Sequence, residues 1–313
     1  MVQVIFIGVA AGLAAALLFL APIGGSEFAF PLFALAGLPI AIAGLGWGYL
    51  AAAVAAVAGG GLILVVIPST FSFLVFMVLF GAPITWLTRL IGLWREGEGG
   101  RQWYPLGRIL LHASLAVAGA VAVVGVLTGY QAEGLIRAAT SALVEFFAAS
   151  PSSEPPPTAE EIAPFVTAYV ALMPAMVGLL MVAIVVLDLW VAALVVRASS
   201  RLERPRDSLS SVVPPNEILI GAAAAIVLAF LPGAFGQVAQ VFAGAFVCAL
   251  FLVGLAVLHA TTVGMGGRPA ILFATYAVTF FSGLPIVLFA LLGAGENFLH
   301  LRARKLGRKS KPD

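Results

Sequence analysis

Charge is what this chain of 313 residues has least of. Asp, Glu, Lys and Arg together supply 10% of it, against an ordinary share of about 25%, too little to cover a water-soluble surface of this length. Cysteine is almost missing. Cys248 is alone inside an apolar run, which excludes an internal disulfide and fits a small buried hydrophobe. There are three histidines and no His-Glu-x-x-His, so a zinc metalloprotease would lack its ligands. No Gly-x-x-x-x-Gly-Lys-Ser/Thr loop is present to cradle a nucleotide, and a net charge of +2 gives no reason to expect nucleic-acid binding. No basic residues precede the first apolar stretch, so Val2–Ala21 reads as a first transmembrane helix rather than a cleaved signal peptide. These absences predict a protein that is not an enzyme and that holds neither metal nor cofactor.

What the chain has in excess is hydrocarbon. Hydrophobic residues make up 62% and mean hydropathy is +1.12. Run after run approaches the roughly 20 residues that cross a bilayer as helix. Backbone polar groups in lipid must be satisfied internally, so the expected fold class is all-α, a polytopic transmembrane helical bundle. The runs are Val2–Ala21, Phe28–Ala43 (broken by Pro31 and Pro39), Gly46–Ile67, Phe71–Trp94, Ile109–Gly129, Phe165–Val196 (tilted or bent near Pro174), Ile218–Leu231, Val238–Leu258 and Ala270–Leu292. A polar loop joins the fourth to the fifth over Arg95–Arg108. Within Tyr130–Pro164, Leu135, Ala139, Ala142 and Phe146 share one helical face while Glu133, Arg137, Ser141 and Glu145 take another. That pattern predicts a surface amphipathic helix, followed by the proline-rich Pro151–Pro157. The chain thus reads as one membrane domain over 1–313: N-terminal helices over 1–129, the amphipathic and proline-rich segment over 130–164, C-terminal helices over 165–301 and a basic tail over 302–313.

Arginine and lysine bias sets the orientation. Arg95–Arg108, Arg197–Arg206 and the tail with Arg302, Arg304, Lys305, Arg308, Lys309 and Lys311 are expected in the cytoplasm. The acidic Tyr130–Pro164 is expected on the other side. Three crossings after Arg206 would put the basic tail outside, and two keep it inside. Ile218–Leu231, the shortest run, stops at Pro232-Gly233 and is the candidate half-crossing. Eight crossings with both ends inside is the working topology, and nine is the alternative.

Few residues carry chemistry. Asp188 is the only acid well inside a long apolar run, and so must face protein, be protonated or lie near the interface. Gln237 and Gln240 open a helix just after Pro232-Gly233, where a broken helix would turn their amides to a cavity. His259 ends Gly254-Leu-Ala-Val-Leu-His259 and is followed by Thr261, Thr262 and Arg268. Asp188, Gln237, Gln240, His259 and Arg268 are therefore the candidate ligand-binding residues. Gly8/Gly12 and Gly44/Gly48 have the spacing that lets helices approach closely. Trp47, Trp94, Trp103, Tyr104 and Tyr130 sit at run ends as interface anchors. Ser282-Gly283 is similar to an intramembrane serine protease motif only superficially, since Phe280 replaces the upstream glycine.

Leu187-Asp-Leu-Trp190, Ser200-Arg-Leu-Glu-Arg-Pro205, Gly254–His259, Arg268, Tyr276, Leu291-Leu-Gly-Ala-Gly-Glu296 and Leu301-Arg-Ala-Arg304 occur in an order that resembles the YybS-like family of bacterial membrane proteins, domain of unknown function 2232. The resemblance covers about Leu187 to Arg304. It departs at Asp188, where an uncharged polar residue is expected, and at Glu296, where aspartate is commoner. The N-terminal part looks like a wider grouping that includes substrate-binding subunits of energy-coupling-factor transporters and MreD. The resemblance implies a membrane-embedded binder, multi-pass in the bacterial inner membrane, that works with partners, and it equally allows a structural role. The reading put first is a transporter-like binder of a small molecule in an interhelical cleft, energised by a separate module. A non-transporting envelope scaffold or assembly protein is the rival, and a membrane enzyme is third. Expected partners are the lipid bilayer, a small-molecule ligand and a membrane protein partner or energising module.

Overall fold

The computed structural model describes residues 1–25, 27–149, 155–206 and 212–299. The molecule is a helical bundle in which thirteen α-helices and one small hairpin are described. Helix α1 (Val2–Leu20) lies on α4 (Tyr49–Val66), and Gly8 and Gly12 make that possible. A Cβ on Gly12 would run into the Ala55 carbonyl and the Gly59 amide, so any side chain there separates the two backbones. Between them the chain forms α2 (Ala29–Ala34) and α3 (Leu38–Trp47). The expected Phe28–Ala43 run is thus two pieces, with Pro39 in the first turn of α3. The expected start of the third run at Gly46 moves to Tyr49, because Gly48 takes the left-handed φ of 88°.

The run expected over Phe71–Trp94 is interrupted in the middle and shorter at its end. Helix α5 (Thr70–Phe76) passes through a π-helical turn, Met77–Gly81, into α6 (Ala82–Ile91). Pro83 has no N–H for the regular ladder, which accounts for the widened turn before it. Trp94 belongs instead to β1 (Trp94–Gly97), paired antiparallel with β2 (Gly100–Trp103) in the register Trp94↔Trp103 and Arg95↔Gln102. The stretch expected as a polar loop is therefore a hairpin.

Helix α7 (Leu106–Leu127) is followed by α8 (Ala132–Ala149), the expected amphipathic helix. Leu135, Ile136 and Ala139 on its apolar side pack on Ile162, Val166 and Val170 of α9 (Ala159–Ala198). Helix α9 starts six residues before the expected Phe165 and runs unbroken through Pro164 and Pro174 for 40 residues, about 60 Å of helix. A capping box explains the early start. Thr158 Oγ1 accepts from the Glu161 amide at 3.4 Å, and Glu161 Oε2 accepts from the Thr158 amide at 2.8 Å.

Helix α10 (Asn216–Leu228) has 13 residues, about 20 Å, short of a hydrocarbon core of about 30 Å. Helix α11 (Gly233–Thr261) is the most enclosed, packed by α7, α9, α10 and α13. The expected run Ala270–Leu292 is corrected to two helices, α12 (Arg268–Ser282) and α13 (Leu284–Leu299). Gly283 caps α12 at φ 65°, and Pro285 follows; a left-handed glycine and then a proline end a helix as hydropathy cannot reveal.

Among the described residues seven helical segments are long and apolar enough to cross a membrane, from Val2–Gly24 through Gly233–Thr261, and α10 and α13 are shorter apolar helices. The protein is a multi-pass membrane protein. Its largest core joins α1, α3, α4, α6, α7 and α9, where the rings of Phe19, Phe33, Phe76 and Phe80 meet tilted or edge to face. The basic tail beyond residue 301 and most of Pro151–Pro157 lie outside the described residues.

Candidate functional site

Four of the five candidate residues fall in three places, and Gln240 in none of them. Asp188 is about three-quarters of the way along α9, on the side that meets α3 and α6. It is fully buried, at 0% exposure. It meets Gly37 at the start of α3, where a Cβ on residue 37 would lie 2.6 Å from Asp188 Oδ2 and close to Ile84 and Phe80. The Gly37 backbone amide is turned toward the carboxyl, but neither oxygen completes a hydrogen bond among the described residues. An ionised carboxylate at such depth carries an insertion cost of about 2.5–3.5 kcal/mol. A partnerless polar atom adds to that cost, because water cannot reach it.

Gln237 lies elsewhere, in a cavity of about 290 Å³ between the end of α7, the middle of α9 and the start of α11. Val121, Val126, Met173, Val177 and Val238 give it an apolar wall. Gln237 supplies an amide, and Tyr130 a hydroxyl that is buried without a hydrogen-bond partner among the described residues. Thr128 also lines it, but its hydroxyl donates to the Val124 and Gly125 carbonyls, 3.0 Å each. Gln240 is half-buried and is not part of the lining. The cavity is mostly apolar, with Gln237 and Tyr130 as its polar groups besides Thr128.

His259 and Arg268 form the third place. His259 Nε2 and the Tyr276 hydroxyl share a hydrogen bond of 2.7 Å between the end of α11 and α12. The Arg268 charge acts on the imidazole from the first turn of α12, and its Nε is buried without a partner among the described residues. The three residues come from separated motifs, yet the structure brings them together. It does not join them to Asp188 or to Gln237. Glu296, another motif residue, is buried on α13.

The basic end holds the residue that sequence reasoning missed. In the sequence Arg204 stands out only as part of a basic loop and of the Ser200–Pro205 motif. In the structure it is 6% exposed and donates to the Ile91 carbonyl at 3.3 Å and the Tyr104 carbonyl at 2.9 Å. It therefore closes the end of α6 and the exit of the hairpin at once. Around it, guanidinium groups face aromatic rings: Arg201 over Trp47 at 4.6 Å, Arg101 over Trp94 at 4.3 Å and Arg89 over Tyr49 at 5.3 Å. Arg101 also pairs with Glu203 at 3.3 Å, in the open. His112 is held by Tyr104 at 3.2 Å. Alternation of tryptophan and arginine around Glu98-Gly99-Gly100 was the available signal for this packed end.

Among the described residues no three His, Cys, Asp or Glu side chains converge as a metal site. Comparison with protein-family models, curated proteins and solved structures found no match to this chain.

Proposed function

We propose that this multi-pass membrane protein binds a small, largely apolar molecule carrying one or two hydrogen-bonding groups, in the cavity between α7, α9 and α11. One observation carries the reading: an apolar interhelical cavity of about 290 Å³ has the Gln237 amide in its wall and the Tyr130 hydroxyl without a partner. Its size is at the lower edge of small-molecule sites, which are typically apolar with a few placed polar groups. A ligand would satisfy the groups that the protein leaves open. By the arginine and lysine bias the cavity lies toward the non-cytoplasmic side, beside the acidic segment. This suits a transporter-like binder that meets its ligand from outside and relies on a separate module for energy. The YybS-like resemblance is compatible with this reading and assigns no ligand.

Gly125 lines the cavity and faces open space, so Gly125→Leu fills the site without disturbing a packed neighbour. Protein purified from native membranes in mild detergent should carry a small molecule detectable by mass spectrometry. Gly125→Leu should abolish its retention. Gln237→Leu should reduce it by about tenfold, the effect of one lost hydrogen bond. Equal retention by both variants and the parent would defeat the reading.

A further inference from the structure

We propose that Asp188 is a proton-binding site inside the membrane-spanning bundle, holding its proton in the packing seen here. The argument is independent of the cavity and rests on three features of the seam between α3, α6 and α9. The carboxyl is wholly enclosed and both oxygens lack partners among the described residues. A lone charge there would have neither water nor a counter-ion.

The groups that could neutralise it are committed elsewhere or lie on other stretches of their helices. Helix α3 has no ionisable residue. Arg89 of α6 stacks on Tyr49 and Trp86. Arg197, nine residues along α9, donates to the Arg204 and Pro205 carbonyls. His112 of α7 is bonded to Tyr104, and His259 of α11 to Tyr276. No ion pair or completed hydrogen bond joins Asp188 to any other charged group among the described residues.

The third feature is the shape of the seam. A metal cation needs several oxygen ligands, but the side chains that meet at Gly37 beside the carboxyl are Phe80 and Ile84, and the Gly37 carbonyl already accepts from the Ala41 amide at 3.0 Å. A proton needs only the carboxyl itself. Both flanks are irregular backbone: the break before α3, and the π-helical turn Met77–Gly81 that carries Phe80. Such turns recur at functional sites. When the proton leaves, the carboxylate faces the amide end of α3, the positive end of a helix dipole. Ionisation therefore tightens the contact of α9 with the start of α3 or admits water between them, which makes proton binding and helix packing one event.

The chain has three aspartates, Asp188, Asp207 and Asp313, so selective labelling reads the site directly. Protein with ¹³C at the aspartate side-chain carboxyls is reconstituted in bilayers and followed by NMR against pH. Near neutral pH one of the three signals should sit at the position of a carboxylic acid, and Asp188→Asn should remove it. If that variant does not fold, the Asp207→Asn/Asp313→Asn double variant should retain that signal alone. Three carboxylate signals near neutral pH would overturn the proposal. So would a carboxylate signal that moves on adding sodium or potassium, which would make this a cation site.

Discussion

Arg204 and Asp188 are both ionisable, both buried and both enclosed by packed helices, yet they live under opposite conditions. Arg204 donates to two carbonyls that would otherwise be orphaned, one at the end of α6 and one after the hairpin. Asp188 has no completed hydrogen bond among the described residues, and its apolar neighbours offer none. A buried charge that closes its neighbours' hydrogen bonds works as structure, whatever else it does. One that is left open raises the free energy of the fold, which makes it a candidate for a role other than stability. The basic end is thus a locked region, and the α3–α6–α9 seam is an unlocked one.

Substituting the locked residue gives the largest expected effect. Arg204→Ala should lower unfolding stability in detergent by about 3 kcal/mol or more, because two hydrogen bonds to a charged group are lost at about 1.5–3 kcal/mol each. Arg204→Met, which keeps the stem but not the donors, should do nearly as badly. A methionine variant that melts like the parent would show that packing, not donation, matters at this end. A smaller effect is expected at the start of α9. Thr158→Ala removes one half of the capping box and should cost about 1 kcal/mol, with Thr158→Ser close to neutral. An alanine variant without loss would mean that α8 alone holds those first turns. The smallest effect is expected where the contrast is sharpest. Asp188→Asn should change stability by less than about 1 kcal/mol, because no partner is taken away. If it destabilises as much as Arg204→Ala, Asp188 is locked too and the comparison collapses.

Hydropathy and helix-breaking residues made the bundle legible. Each of the nine apolar runs contains helix, and the short run at Ile218–Leu231 corresponds to the short α10. What hydropathy misses is anything set by one residue's conformation or by contacts across the chain. Gly283 divides an apolar stretch that is continuous in composition. The Thr158–Glu161 box lengthens α9 into a segment that looks polar. Arg204 finds its carbonyl acceptors about a hundred residues away in sequence. For the candidate site, the isolation of Asp188 in its run marked it as costly, but its lack of partners depends on where α3 and α6 lie. Gln237 was found from the proline-glycine break before it. The run-end position of Tyr130 reads as an interface anchor, since nothing local says that its hydroxyl is buried.

Helix α9 is about twice as long as the hydrocarbon core is thick, and one rod carries the capping box, the cavity wall at Pro174 and Val177, and Asp188. This arrangement is a lever with its fulcrum built in. Pro174 leaves one rung of the helical ladder unmade, so it is the place where the rod bends most easily. Asp188 lies fourteen residues beyond it, an arm of about 21 Å, so a swing of about 10° at the fulcrum displaces the carboxyl sideways by roughly 4 Å. A molecule entering beside Val177 would press on the rod close to that fulcrum, and the Asp188 carboxyl, further along the same arm, would be displaced by more. Spin labels on α3 and on α9 beyond Asp188 would read the swing as a change in distance on filling the cavity. An unchanged distance would mean that the rod is rigid and the two places work apart.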